Sequence, residues 1–148
     1  MKHTGMPASL PTAGCIWNSF RSSNKRHLIL TGTKGAGKTT LLKQLFPQPL
    51  PGLTTWAEPK QAVYLQNNLT SETVLAGVFD ETLPGSENRM VPLQDSFASL
   101  GAATLEQCSE GDSQWVSIDE IGYLEALCAP YHVALRKLME KKHVASPR

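Results

Sequence analysis

The feature that most restricts this chain is the run Gly32-Thr33-Lys34-Gly35-Ala36-Gly37-Lys38-Thr39, which satisfies G-x-x-x-x-G-K-[ST] at every position. His27-Leu28-Ile29-Leu30-Thr31 precedes it, a short apolar run suited to a buried strand. Lys38 to Phe46 follows, with Leu41, Leu42, Leu45 and Phe46 at helical spacing, and Pro47, Pro49 and Pro51 end that helix. A strand, a glycine-rich turn and a helix in this order place successive backbone N–H groups around one concavity at a helix N-terminus. Such a nest holds a large anion without help from side chains. The glycines permit the positive φ angles and the close approach that it requires. In this chemistry Lys38 meets the β- and γ-phosphates as a point charge and the Thr39 hydroxyl binds Mg²⁺. Thr40 is placed to reach the α-phosphate from the first helical turn. Gly32, Thr33, Lys34, Gly35, Ala36, Gly37, Lys38, Thr39 and Thr40 are therefore the expected nucleotide-binding residues.

A second acidic element lies downstream. Val116-Ser117-Ile118 reads as a buried strand that delivers Asp119 and Glu120 at its C-terminal end. In an open parallel sheet that end faces the same crevice as the phosphate loop. Asp119 would then hold Mg²⁺ from the side opposite Thr39, and Glu120 would orient and polarise the water that attacks the γ-phosphate. A carboxylate suits that task because positioning dominates phosphoryl transfer. An Asp-Glu pair alone reads more readily as a helix start offsetting the macrodipole. The apolar run before it and the loop upstream favour catalysis, so Glu120 and Lys38 are the expected catalytic residues, and Thr39 and Asp119 the metal ligands.

Between these motifs the pattern is looser. Ala62 to Leu65 and Val74 to Phe79 read as strands separated by the turn-prone Asn67-Asn68. Leu93 to about Cys108 reads as a helix with Phe97, Leu100 and Leu105 near one face. Ala129 to Lys142 carries a helical stripe of Tyr131, Leu135, Leu138 and Met139, and His143 begins another strand. Strands alternating with helices predict an α/β fold, a mostly parallel sheet with helices on both faces and a Tyr64–Val74 hairpin at one edge.

Composition narrows the partners. The chain has 148 residues, 41% of them hydrophobic, enough for one globular domain with a core. Its net charge of +1 is uneven: residues 1–27 hold four cations and no acid, the rest ten cations and thirteen acids. Residues 1–26 are expected to be a flexible basic tail with one helical turn near Cys15 to Phe20, and residues 27–148 a P-loop nucleotide-binding domain. The net charge of +1 argues against a purely electrostatic nucleic-acid binder; a basic arm on a mildly acidic body could touch nucleic acid or a membrane surface, with a flexible tail the plainer reading. No apolar stretch is long enough to span a bilayer, and no signal-type apolar run precedes Leu28. Cys15, Cys108 and Cys128 form no CxxC, and the four histidines lack ligand spacing, which disfavours a zinc site. Reduced thiols fit a cytoplasmic protein.

GTKGAGKTTLL followed by SIDEIGYLE resembles the small P-loop nucleoside-triphosphatase family first described from thermophiles, also called the cancer-related nucleoside-triphosphatases. The resemblance spans about Leu28 to Val144, but only the two motifs are specific. It implies a RecA-like sheet and Mg²⁺-dependent hydrolysis of ATP, GTP and other triphosphates to diphosphates, with weak base selectivity. It also implies phosphate-binding roles for Lys38, Thr39, Gly32, Gly35 and Gly37, and an acidic pair at Asp119 and Glu120; Glu125 matches without an evident role. Lys34 stands where the family often has proline, and Ser117 interrupts an apolar strand. Family members continue beyond the strand that begins at His143, so a last strand and helix are expected to be missing here.

Two other functions compete. A nucleoside or nucleotide kinase would use the same loop, but such kinases close an arginine-bearing lid, and between Leu41 and Leu135 only Arg89 is available. A non-catalytic nucleotide-binding module is the other. Arg89 and Arg136 are the arginine-finger candidates by default. No N-K-x-D guanine reader is present, and Trp56 and Tyr64 are candidates for stacking on a base, with ordinary packing the plainer role.

Overall fold

The computed structural model describes residues 13–31, 37–58, 61–82, 90–119 and 128–146. In chain order the elements are α1 (Ala13–Ser23), β1 (Leu28–Ile29), α2 (Lys38–Leu45), β2 (Gly52–Glu58), β3 (Ala62–Asn67), β4 (Thr73–Phe79) and β5 (Met90–Pro92). They continue with α3 (Gln94–Ser96), a π-helical turn (Phe97–Gly101), α4 (Ala102–Glu110), β6 (Trp115–Ile118), α5 (Ala129–Lys141) and β7 (His143–Ser146).

One seven-stranded sheet runs in the order β1-β7-β6-β2-β3-β4-β5. The β1-β7-β6-β2 half is parallel, and β2-β3-β4-β5 is an antiparallel meander. The expected α/β, P-loop NTPase-like architecture is present. Its antiparallel part is larger than an edge hairpin, because Gly52–Glu58 adds a strand that pairs both ways, with β6 and with β3. Sequence reading passed over that strand because three prolines just before it read as loop.

Strand alternation sorts the core. Leu53, Leu65, Val116, Ile118 and Val144 face α4 and α5, where Phe97, Leu105, Tyr131, Leu135 and Leu138 meet them in one buried cluster. Both helical stripes read from the sequence are thus the core faces of their helices. The expected Asn67-Asn68 turn has a clear device: the Asn67 side-chain oxygen accepts from the Leu69 and Thr70 N–H groups at 2.9 and 3.1 Å. Its amide nitrogen donates to the Thr104 hydroxyl at 3.2 Å, which satisfies a buried polar side chain.

Gly52 shows why β2 can approach β6 so closely. Its φ is +143°, and a Cβ there would lie 1.8 Å from the Ser117 carbonyl oxygen. Only glycine fits without moving one strand off the other.

The expected N-terminal tail is corrected for residues 13–23, which form the eleven-residue helix α1. Trp17 packs edge-on against Phe46 and Trp115 with ring centroids 5.3 and 5.4 Å away. Phe20 lies 5.3 Å from Trp115, which stacks on His143 at 4.8 Å. This aromatic cluster fastens α1 to the end of α2 and to the starts of β6 and β7. Residues 1–12 lie outside the described set.

His27 joins the two parallel strands at its end of the sheet. The Val144 N–H donates to His27 Nδ1 at 3.1 Å, a bond that only the neutral ring can accept. Burial first, then the nearby Arg26 and His143 charges, lower the His27 pKa below its ordinary 6.5, against a smaller upward pull from a Met139 backbone hydrogen bond. The unfolded chain therefore takes up this proton more readily than the folded one. The stability contribution is complete above pH 6.5 and is lost as pH falls from there through the lowered folded-state value. The melting temperature should drop between about pH 7.5 and 5.5, and His27→Gln should flatten that drop. An equal pH slope in both proteins would rule His27 out as its source.

Candidate nucleotide site

The parallel half of the sheet brings the two motifs to one edge. Gly37 adopts φ 88° and ψ 20°, the left-handed region that favours glycine, and α2 begins at the next residue. The Leu41 N–H closes the first helical turn on the Gly37 carbonyl at 2.9 Å. Lys38 thus stands at the first helical position, the end at which the helix dipole favours an anion. Thr39 is the next residue of α2, and Thr40 is exposed beside it. Gly32, Thr33, Lys34, Gly35 and Ala36 lie outside the described residues, as do Glu120, Glu125 and Arg89. Arg136 is an exposed residue of α5, the helix packed on the opposite face of the sheet from α2.

Asp119 follows β6 directly. Its N–H donates to the Leu53 carbonyl at 2.9 Å. The Thr55 hydroxyl donates to the Asp119 carbonyl at 3.0 Å. Both contacts come from β2, so the missed strand is what fixes the backbone of the acidic residue. Between the phosphate-loop strand and the acidic strand runs β7, whose register sets Ser146 beside Ile29. The Ser146 carbonyl accepts from the Leu30 N–H at 2.8 Å, which ties the base of the phosphate-loop strand to the sheet. The Ser146 hydroxyl is fully buried and has no hydrogen-bond partner.

Two cavities flank α2. One of about 580 Å³ opens between α1, β1 and α2, with Lys38, Leu41, Leu30, Thr31, Cys15 and Phe20 among its walls. Among its described lining residues Lys25 and Lys38 are the cations, set in largely apolar walls. The other, of about 250 Å³, lies on the other flank of α2 and reaches Asp119. The structure therefore assembles Lys38 and Asp119 around one helix. It also supplies a wall from α1, which the sequence reading had assigned to the tail. Ile16, Trp17 and Phe20, spaced as one helical face, were the signal for it.

Among the described residues no helix is long and apolar enough to cross a membrane. Among them, too, no group of three or more His, Cys, Asp or Glu residues could hold a metal ion. Burial pushes the Cys108 thiol up to about 11, partly offset by Lys142, which makes it an inert core group.

A family model described as an AAA domain matches residues 21–145. The crystal structure of THEP1 from the hyperthermophile Aquifex aeolicus is similar in fold, with a TM-score of 0.62 and 21% sequence identity, over 82% of this chain and 76% of that one. No curated protein matches the chain. The family match runs from α1 into β7 and takes in both halves of the sheet, and the chain accordingly belongs to the AAA domain family, with a P-loop NTPase-like fold.

Proposed function

We propose that this protein binds nucleoside triphosphates, ATP and GTP among them, and hydrolyses them to diphosphate and phosphate with Mg²⁺. The observation that carries the reading is the start of α2. A left-handed Gly37 opens a helix whose first residue, Lys38, borders a cavity of about 580 Å³, while Asp119 borders a second cavity on the other flank of the same helix. In this reading the backbone of residues 32–37 cradles the phosphates, Lys38 neutralises the β- and γ-phosphate charge, and Thr40 meets the α-phosphate. Glu120 orients the attacking water, and the resulting phosphate leaves with its new oxygen from that water.

The donor set fits Mg²⁺. A threonine hydroxyl at position 39 and a carboxylate at 119 are hard oxygen ligands, and Mg²⁺ is usually held by one or two protein oxygens together with substrate phosphates and waters. When bound, the ion offsets phosphate charge. The small nucleoside-triphosphatase family first described from thermophiles remains the finer family reading, supported by the two motifs and by the fold shared with THEP1.

The test is phosphate release from a panel of triphosphates with and without Mg²⁺, beside thermal melting. A ligand that binds only the folded state adds about 2.7 kcal/mol at a hundredfold excess over Kd, a shift of several degrees for a domain of this size. Release should depend on Mg²⁺. A melting temperature indifferent to millimolar Mg²⁺-nucleotide, with no phosphate released, would overturn the reading.

A further inference from the structure

We propose that the smaller cavity beside Asp119 is a second-ligand site for an uncharged nucleoside-like molecule, with the Trp56–Tyr64 pair as its stacking platform. The inference rests on the triphosphate reading for its orientation, but its evidence is separate. Alternation along β2, β3 and β6 sets Thr54, Trp56, Tyr64, Gln66, Ser117 and Asp119 on the face away from the core. α2 covers only part of that face. What it leaves is a cavity of about 250 Å³ with a mixed lining: Leu42, Phe46 and Leu50 give it apolar walls, and Thr54, Gln66 and Ser117 are among the polar groups set into them. This accounts for Ser117, the polar residue that interrupts an otherwise apolar strand.

Trp56 and Tyr64 continue the same face, two residues from Thr54 on β2 and two from Gln66 on β3. Their rings are stacked, 26° from parallel with centroids 5.6 Å apart, and Trp56 remains 37% exposed. Leu75, cross-strand from Tyr64, is equally exposed and extends the apolar shelf.

The chemistry of the walls selects the ligand. Stacked indole and phenol rings favour a planar aromatic group, whose π-face they can cover. Hydroxyls and amides match the edges of a base and the hydroxyls of a sugar. Their orientations are set: Thr54 donates to Asn68 Oδ1 at 2.6 Å, and Gln66 Nε2 donates to Thr73 Oγ1 at 3.0 Å. Among the described lining residues one lysine and one aspartate offset each other, and that lining suits an unphosphorylated molecule better than a nucleotide. A single-stranded nucleic acid would require a basic groove tracking its backbone, and among the described lining residues Lys43 is the one cation. The volume lies below the roughly 300–1,000 Å³ typical of sites for drug-sized ligands, which favours one ring and sugar. The larger cavity flanks α2 on its β1 side and this one on its β6 side, so the two ligands would sit on either side of that helix.

The experiment titrates the full chain with adenosine, guanosine and cytidine, following tryptophan fluorescence and binding heat. Each titration is run with and without a saturating non-hydrolysable ATP analogue and Mg²⁺. At least one nucleoside should give saturable quenching that the analogue leaves in place. Trp56→Leu should remove the quenching and weaken binding about tenfold or more. Ser117→Val, which narrows the cavity from β6 without touching the β2–β3 hairpin, should also weaken it. No saturable signal from any of the three, or a signal displaced by the analogue, would overturn the proposal. Unchanged nucleoside affinity in both folded variants would do the same. Failure of the analogue itself to bind counts against the triphosphate reading and leaves the nucleoside result to be judged by the variants.

Discussion

Lys38→Ala should abolish tight triphosphate binding while leaving the fold in place. Lys38 opens α2 at the edge of the larger cavity and is absent from the buried core. Alanine is the better helix former, so the helix itself loses nothing in propensity. What is lost is the one charged side chain of the motif that meets the β- and γ-phosphates. Hydrogen bonds to charged groups are worth about 1.5–3 kcal/mol each. A lysine contacting two phosphates should therefore account for about two orders of magnitude in affinity or more. Calorimetric titration with ATP and GTP reads this directly, and melting without nucleotide should be nearly unchanged. Undiminished affinity in a folded variant would remove the phosphate-loop assignment.

Glu120→Gln should separate binding from turnover. Glutamine keeps the shape and hydrogen-bonding reach of glutamate but lacks the negative charge that polarises a water. Triphosphate binding should survive while phosphate release falls about 10²-fold or more, the low end of a general-base contribution. Asp119→Asn should behave differently, because the β2 contacts to its main chain remain while the carboxylate charge is lost. Its turnover should fall together with its Mg²⁺ affinity, so that more Mg²⁺ is needed for half-maximal release. Side by side, the glutamine variant should hold intact triphosphate and the asparagine variant should show a displaced Mg²⁺ dependence. Equal phosphate release by wild type and Glu120→Gln would mean that water is not activated there. The reading would then pass to a binding module, or to a kinase if the label appears on an added nucleoside.

Much of this site was legible from spacing alone. A glycine-rich turn between an apolar run and an amphipathic helix has few alternative folds, because the backbone groups it exposes need an anion or water. The left-handed Gly37 immediately before Lys38 is the conformation that this reasoning requires. The core faces of α4 and α5 were equally legible, since Leu105, Tyr131, Leu135 and Leu138 repeat at the helical period and are buried together.

The elements that escaped did so for physical reasons. In α1, the mean polarity of the segment hid Ile16, Trp17 and Phe20, which have no function until Phe46, Trp115 and His143 arrive from distant parts of the chain. β2 lies behind a proline cluster and ends in polar residues. It becomes a strand because it can pair on both sides and because Gly52 admits the Ser117 backbone.

Local sequence by itself determined the helix that opens after Gly37, the strand that ends at Asp119 and the two core helices, because each depends on φ preferences and periodicities carried within a dozen residues. Only the tertiary structure decided which strands are neighbours. Strand pairing is a long-range choice, made by burial and hydrogen-bond satisfaction across the whole sheet. It inserted β7 between the phosphate-loop strand and the acidic strand. It gave Asp119 its backbone partners from β2 and set Trp56 on the same open face as Ser117, juxtapositions that no local window of the sequence contains.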